Sequence, residues 1–319
     1  DYLSCTREMF DISLKIEKEG LEALKELKSL LTNVQKLRGI TNLYGVLWTG
    51  SEADNIFKDE INQIIEDINR NFIRLDEVAQ KNSYLSKIFD RVKHLEERLN
   101  RFNSNVFDLA ISYFDEYNLF AKEIINFIID IEESSYLLAD EDRFHFWTEK
   151  ITMNTLLSLM ENLRKLRAVG IVIIHKRAKS LNDSFEIQHY LGIIEDFYQR
   201  LEMEFREYLS NVEDEEKKKE ISQLYERLKK DIDYFVTLTR NELLNQEFIY
   251  IEPQYYFDQA NDVVKSYDLI HNNMVELMEK NLDRRISQYS KLVWRDRAIW
   301  GAIASGLLGA VFYDIYNLI

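Results

Sequence analysis

A chain of 319 residues with one proline and nine glycines can bury one large or two modest cores, and it is too poor in breakers for anything but long helices. Its 56 acidic and 41 basic residues leave a net charge of −15 and a pI near 5.0, which argues against a basic nucleic-acid-binding face. A single cysteine, Cys5, rules out an internal disulfide and a thiolate metal cluster.

The first helix is predicted over 6–48, because Leu24, Leu27, Leu31 and Val34 recur at three- and four-residue steps. Arg38 takes the next place on that stripe, followed by Thr41, Gly45 and Trp48, and Trp48-Thr49-Gly50 stops the helix. Ser51 caps a second helix, with Glu52 and Asp54 in its favourable first turn and Ile56, Ile61, Ile64, Ile65, Ile68 and Phe72 as its apolar stripe. Asn82-Ser83 ends it, and a short amphipathic third helix spans 84–101. Asn103-Ser104-Asn105 divides this from a fourth, over 106–138, whose aromatic and β-branched bulk reads as core.

The turn Ala139-Asp140-Glu141-Asp142 reads as the N-terminal cap of a fifth helix rather than as a metal site. Along that helix Met153, Leu156, Met160 and Leu163 form one face, Arg167 follows, and Gly170 and Ile174 resume it; the helix runs to about Lys179. Leu181-Asn182-Asp183-Ser184 marks another cap before a sixth helix over 185–211. A seventh opens with the charge run 213–220, acids before bases as helix polarity favours, and continues to 248. Residues 249–253 are the one extended stretch, and Pro253 opens an eighth helix carrying Phe257, Ala260, Val264, Tyr267, Met274, Leu277 and Leu282. No breaker separates it from the apolar end of the chain.

That end, 298–319, has no charge before Asp314 and is predicted to span a membrane, although its uncharged run is slightly short. Ala302 with Gly306, and Ser305 with Gly309, supply small residues at four-residue spacing for close helix packing. A buried C-terminal core helix is the alternative. The fold class that follows is all-α: about eight helices in two up-and-down four-helix bundles, the last continuing into a transmembrane span.

The strongest internal echo pairs Lys36-Leu37-Arg38-Gly39-Ile40 with Lys165-Leu166-Arg167-Ala168-Val169, one in each half. A guanidinium keeps its proton and is costly to desolvate, so each arginine requires an acidic partner or a bound anion. If both face one interior, they form a positive site able to hold a planar oxyanion by bidentate hydrogen bonds. Arg164, one turn before Arg167, and Thr41, one turn beyond Arg38, are candidates to support them. The sequence has no glycine-rich phosphate loop, His-Glu-x-x-His motif, nucleophile elbow or Cys–His metal spacing. His94, His145, His175, His189 and His271 are scattered over separate helices, so neither catalysis, a metal nor a cofactor is expected.

Two segments resemble a known family. Glu17-Lys18-Glu19-Gly20 with Val34-Gln35-Lys36-Leu37-Arg38-Gly39-Ile40-Thr41-Asn42-Leu43-Tyr44 is similar to the start of the nitrate- and nitrite-sensing (NIT) domain. Leu163-Arg164-Lys165-Leu166-Arg167-Ala168-Val169-Gly170 resembles that family's second arginine element, and 117–142 resembles the segment linking the two. Leu37 stands where the family often has Glu, and Ala168 replaces the usual Gly.

The resemblance implies a helical sensor domain over 1–297, a transmembrane helix over 298–319, and a nitrate or nitrite site formed by Arg38 and Arg167. It further implies a homodimeric sensor region of a chemoreceptor, histidine kinase or cyclic-dinucleotide enzyme in the inner membrane, with the sensor in the periplasm. Asp1 reads as a cut after an earlier span, whereas Lys291, Arg295 and Arg297 would by themselves favour a cytoplasmic soluble part. Two rivals stand beside this reading: a ligand-free, membrane-anchored scaffold or dimerisation bundle, and a hydrolase using clustered acids and a metal.

Overall fold

The apolar stripes of the sequence become the buried faces of long rods. The computed structural model describes residues 2–47, 53–81, 85–108, 113–135 and 142–318, and among these there is helix but no strand. The first half comprises α1 (Tyr2–Leu47), α2 (Ala53–Lys81), α3 (Ser86–Asn103) and α4 (Tyr113–Ser134). In the second half, α5 (Arg143–Glu149) passes through a π-turn at Lys150–Thr155 into α6 (Leu156–Lys176). There follow α7 (Leu181–Ser210), α8 (Glu215–Thr239) with a π-turn at Arg240–Leu244, and α9 (Pro253–Leu318). Because α5, its π-turn and α6 form one continuous rod, the described helices number the expected eight.

Local chemistry explains three of the helix starts. Asp142 accepts the Phe144 N–H at 2.9 Å and caps α5, the role expected of the acidic turn there. Asp214 accepts the N–H groups of Glu216 and Lys217 and starts α8. Ser180 and Asp183 form a reciprocal capping box on α7. That corrects the expected cap: residues 181–184 are already helical, because the Ser180 hydroxyl satisfies the Asp183 N–H one turn earlier.

Other boundaries differ from expectation: the helix carrying Arg167 ends at Lys176 rather than near Lys179, with Arg177 in the left-handed region at φ 52°. The fourth helix begins at Tyr113, not at 106; residues 104–107 form a turn, and the Tyr113 hydroxyl donates to the Asn105 carbonyl across it. Beyond α8 the helical backbone ends at Leu244 rather than at 248. The Lys179 ammonium donates to the carbonyls of Leu243 (2.8 Å) and Leu244 there, satisfying acceptors that the helix end leaves open. The stops at Trp48-Thr49-Gly50 and Asn82-Ser83, the Ser51 cap and residues 139–141 lie outside the described residues.

Helix α1 is the common spine. It packs on α2 and α4, which α3 bridges, to make the first four-helix unit, and it also packs on α9 and α6 of the second. Ion pairs fix its direction: Arg7 with Asp296, Lys18 with Asp283, and Lys25 with Glu279 show α1 and α9 running antiparallel. The buried apolar residues of both halves form one continuous core, from Leu21 and Leu24 through Ile124 and Phe127 to Ile270 and Met274. Two bundles that share a spine thus merge their interiors, and the shared boundary holds the charged residues described next.

The α9 backbone continues to Leu318, but the predicted span 298–319 falls largely outside the residues whose side chains are described. Among the described residues, no helix is long and apolar enough to cross a membrane. Trp294, Ile299, Trp300, Ile303 and Leu307 are exposed along α9.

Candidate functional site

The stripe that runs Leu24, Leu27, Leu31, Val34 along α1 is fully buried, and Arg38, the next residue on it, is carried inside with it at 1% exposure. Its guanidinium meets the carboxylate of Glu161 on α6 in a two-pronged pair: Nη1 donates to Oε1 at 2.6 Å and Nη2 to Oε2 at 3.1 Å. Nη1 also donates to Oδ1 of Asn118 on α4 at 2.7 Å, and the Phe114 ring lies 5.7 Å from Cζ. The Nε–H finds no acceptor. Burial pushes the Glu161 carboxyl up, but the charge and hydrogen bonds of Arg38, aided by Lys165 and Gln35, outweigh it and hold the pKa below its ordinary value.

From Glu161 a chain of side chains crosses between α1 and α6. Gln35 Nε2 donates to Glu161 Oε2 at 2.5 Å, while Gln35 Oε1 accepts from Arg164 Nη1. Glu161, Arg164 and Arg167 step along one side of α6 at three-residue intervals, so helix geometry sets all three against α1 and α9. Arg167 Nη1 donates to Asn261 Oδ1 of α9 at 2.9 Å, and its Cζ lies 5.1 Å from the Phe257 ring. Its other terminal nitrogen lies 3.9 Å from where a Cβ on Gly39 would stand, which puts Arg167 beside the residue following Arg38.

Charge is unbalanced here. Arg38, Arg164 and Arg167 meet one carboxylate that bonds directly to any of them; among the described residues no acid lies within 4.0 Å of Arg164 or Arg167. Burial, followed by repulsion from Arg164 and then Arg38, lowers the Arg167 pKa to about 10, so it stays charged at neutral pH. Burial likewise lowers that of Arg164. Nearby, Lys28 donates to His271 Nδ1 at 3.0 Å and faces Asp268 at 3.7 Å; burial is the main cause of its lowered pKa of about 8, against the pull of Asp268 and with the push of Arg164. The Tyr267 ring lies between the two cations, 5.2 Å from Lys28 Nζ and 6.0 Å from Arg164 Cζ. A cavity of about 10 Å³ among Arg164, Arg167, Phe235, Ala260, Val263 and Val264 has room for at most one water, too little for nitrate without rearrangement of its lining.

The structure therefore brings Arg38, Arg164 and Arg167 to one junction, and gives Arg38 a carboxylate of its own. Thr41 is also buried but turned away: its hydroxyl donates to the Leu37 carbonyl of its own helix at 2.7 Å. Sequence reasoning missed Glu161, Asn118 and Asn261, whose pairings join distant segments. Gln35 lies within the quoted arginine element, three residues before Arg38, and that helical spacing was the available signal for it.

No protein-family model matches the chain, and no curated protein matches it in sequence. Among solved structures, the fold is similar to the one titled "Structure of the NasR transcription antiterminator", with a TM-score of 0.65 over 92% of this chain and 81% of that one. At 10% identity the likeness is one of fold: this chain shares an all-helical architecture with that protein.

Proposed function

We propose that this chain is the sensor region of a signalling protein and that it binds a small planar oxyanion, nitrate or nitrite, at the junction of α1, α6 and α9 through Arg38 and Arg167, with Arg164 beside them. The observation that carries the reading is the surplus of cations at this junction, where Arg38 and Arg164 are buried and Arg167 is partly buried. Arg164 and Arg167 have only neutral hydrogen-bonding partners, Gln35 and Asn261, and buried charges are normally paired. Likeness in fold to a transcription antiterminator supports a regulatory role. The resemblance of the two arginine elements to the NIT family supports the choice of anion.

In this reading α9 carries the signal. Binding favours the arrangement in which the guanidiniums converge, and α9, which contributes Asn261 and Phe257, passes a small shift toward its C-terminal end. The chain acts as a homodimer in the inner membrane, with its sensor in the periplasm and with 298–319 as the span. Exposed Trp294 and Trp300 on either side of Arg295 and Arg297 suit a membrane interface.

A second reading, a ligand-free scaffold, draws support from the Arg38–Glu161 pair, which satisfies one arginine internally. Calorimetric titration of the wild type, Arg38→Ala and Arg167→Ala with nitrate and nitrite separates the two. The sensor reading expects heat with the wild type and its loss in Arg167→Ala. Absence of heat with either anion favours the scaffold, and unchanged binding in both variants overturns the assignment of the site to these arginines.

A further inference from the structure

Glu161 is saturated where the arginines around it are not. Oε1 accepts from Arg38 Nη1 and faces Lys165 Nζ at 3.3 Å, while Oε2 accepts from Arg38 Nη2 and Gln35 Nε2. A carboxylate held by two parallel N–H···O bonds offers the guanidinium the same planar pair of oxygens that nitrate or nitrite offers. We propose that Glu161 is the resident anion of this site: it holds Arg38 while the site is empty, competes with the incoming oxyanion for that guanidinium, and so sets affinity and selectivity. This deepens the anion-sensor reading above and rests on it.

Displacement strands no charge. Lys165, four residues along the same helix, already faces Glu161, and Arg164 stands three residues along with only the Gln35 amide on its Nη1. An anion that takes Arg38 thus leaves Glu161 with cationic neighbours of its own. The exchange also undoes a clasp, because Gln35 and Arg38 of α1 both grip α6 through this one carboxylate. Loss of that grip loosens α1 on α6, leaving the Gln35–Arg164 hydrogen bond and the apolar core between them, while the contacts of α1 with α9 persist. Selectivity follows from shape: a halide offers a single point of contact and cannot replace both prongs, whereas a planar oxyanion can.

The test compares the full chain with Glu161→Gln and Glu161→Asp, titrated with nitrate, nitrite and chloride at constant ionic strength and followed by thermal melting. The Gln variant should bind nitrate about tenfold more tightly, the gain expected when a competitor occupying the site about nine-tenths of the time is removed. Its Tm should also rise more with nitrate than that of the wild type, since the anion supplies the missing negative charge. The Asp variant, charged but withdrawn by one methylene, should fall in between. Folded variants that bind nitrate no better than the wild type overturn the proposal and leave the anion reading standing. If none of the three proteins binds any anion, that reading fails and this one with it. Should the variants not fold in anion-free buffer, recovery of folding by nitrate supports the proposal and its absence refutes it.

Discussion

Arg38 and Glu161, separated by 123 residues of chain, meet in a bidentate ion pair with both side chains buried. The pair joins the spine helix α1 to α6 at the place where the two halves share a core. A buried pair is weak evidence for net stability, because desolvating both ions offsets much of their attraction. What it imposes is a penalty for one-sided change.

That penalty is measurable. Glu161→Ala, which leaves Arg38 and its neighbours without a carboxylate, should cost about 3–5 kcal/mol in urea unfolding in anion-free buffer. Replacing both partners together, Arg38→Met with Glu161→Met, should cost far less than the sum of the two single changes. Additive losses would show that the two residues act independently.

Arg167 should behave in the opposite sense. Its direct contacts are a neutral amide and an aromatic ring, and burial, with repulsion from Arg164 and Arg38, lowers its pKa to about 10, so it carries its charge at neutral pH. Arg167→Met should therefore raise Tm in anion-free buffer, by the equivalent of about 1–3 kcal/mol. Nitrate should raise the Tm of the wild type but not that of the variant. A variant less stable than the wild type in anion-free buffer would mean that the guanidinium is structurally needed where it stands.

The two glycines of the arginine elements should part company. A Cβ on Gly170 would lie 2.5 Å from the Tyr256 hydroxyl and 2.7 Å from its ring, and Tyr256 is fully buried with its hydroxyl 3.0 Å from that of Thr239. Gly170→Ala should cost about 1–3 kcal/mol by overpacking. At Gly39 the nearest atom would be Arg167 Nη2 at 3.9 Å, an ordinary contact, so Gly39→Ala should be neutral or stabilise by up to about 1 kcal/mol through helix propensity. Chemical denaturation of both variants decides it.

Glu132 predicts a pH dependence. This α4 side chain is buried, its Oε1 has no hydrogen-bond partner, and burial, assisted by Glu133, raises its pKa to about 8. Between pH 4.5 and 8 the folded state holds a proton that the unfolded state has released, so this group lowers stability as pH rises through that window. Above pH 8 the loss is complete. Glu132→Gln should match the wild type near pH 4.5 and exceed it at pH 9, by at most about 1.4 kcal/mol for each pH unit crossed. His271, whose pKa burial holds well below the ordinary value, acts oppositely: stability falls as pH drops below about 6.5. The difference between Glu132→Gln and the wild type isolates the carboxyl, and a pH-independent difference would refute the assignment.

Much of this was legible in the residues themselves. The stripe through Leu24, Leu27, Leu31 and Val34 placed Arg38 in the interior, because a side chain at helical spacing from buried leucines shares their face whatever its polarity. The same logic put Arg167 on the inner side of α6. The helix start at Asp142 followed from capping chemistry that acts over a few residues. Less legible were the π-turns at Lys150–Thr155 and Arg240–Leu244, where one extra residue per turn shifts the phase without a composition signal.

Sequence alone therefore determined an all-helical chain and the inward direction of its two odd arginines, since both rest on periodicity within single helices. Only the tertiary structure decided what those arginines meet. Glu161 is one of 56 acids, and nothing local distinguishes it; it faces Arg38 because α6 packs against α1 at one register. The same packing leaves Arg164 and Arg167 with neutral partners. A charge surplus of that kind belongs to a junction of helices, since the residues that would cancel it come from segments far apart in the chain.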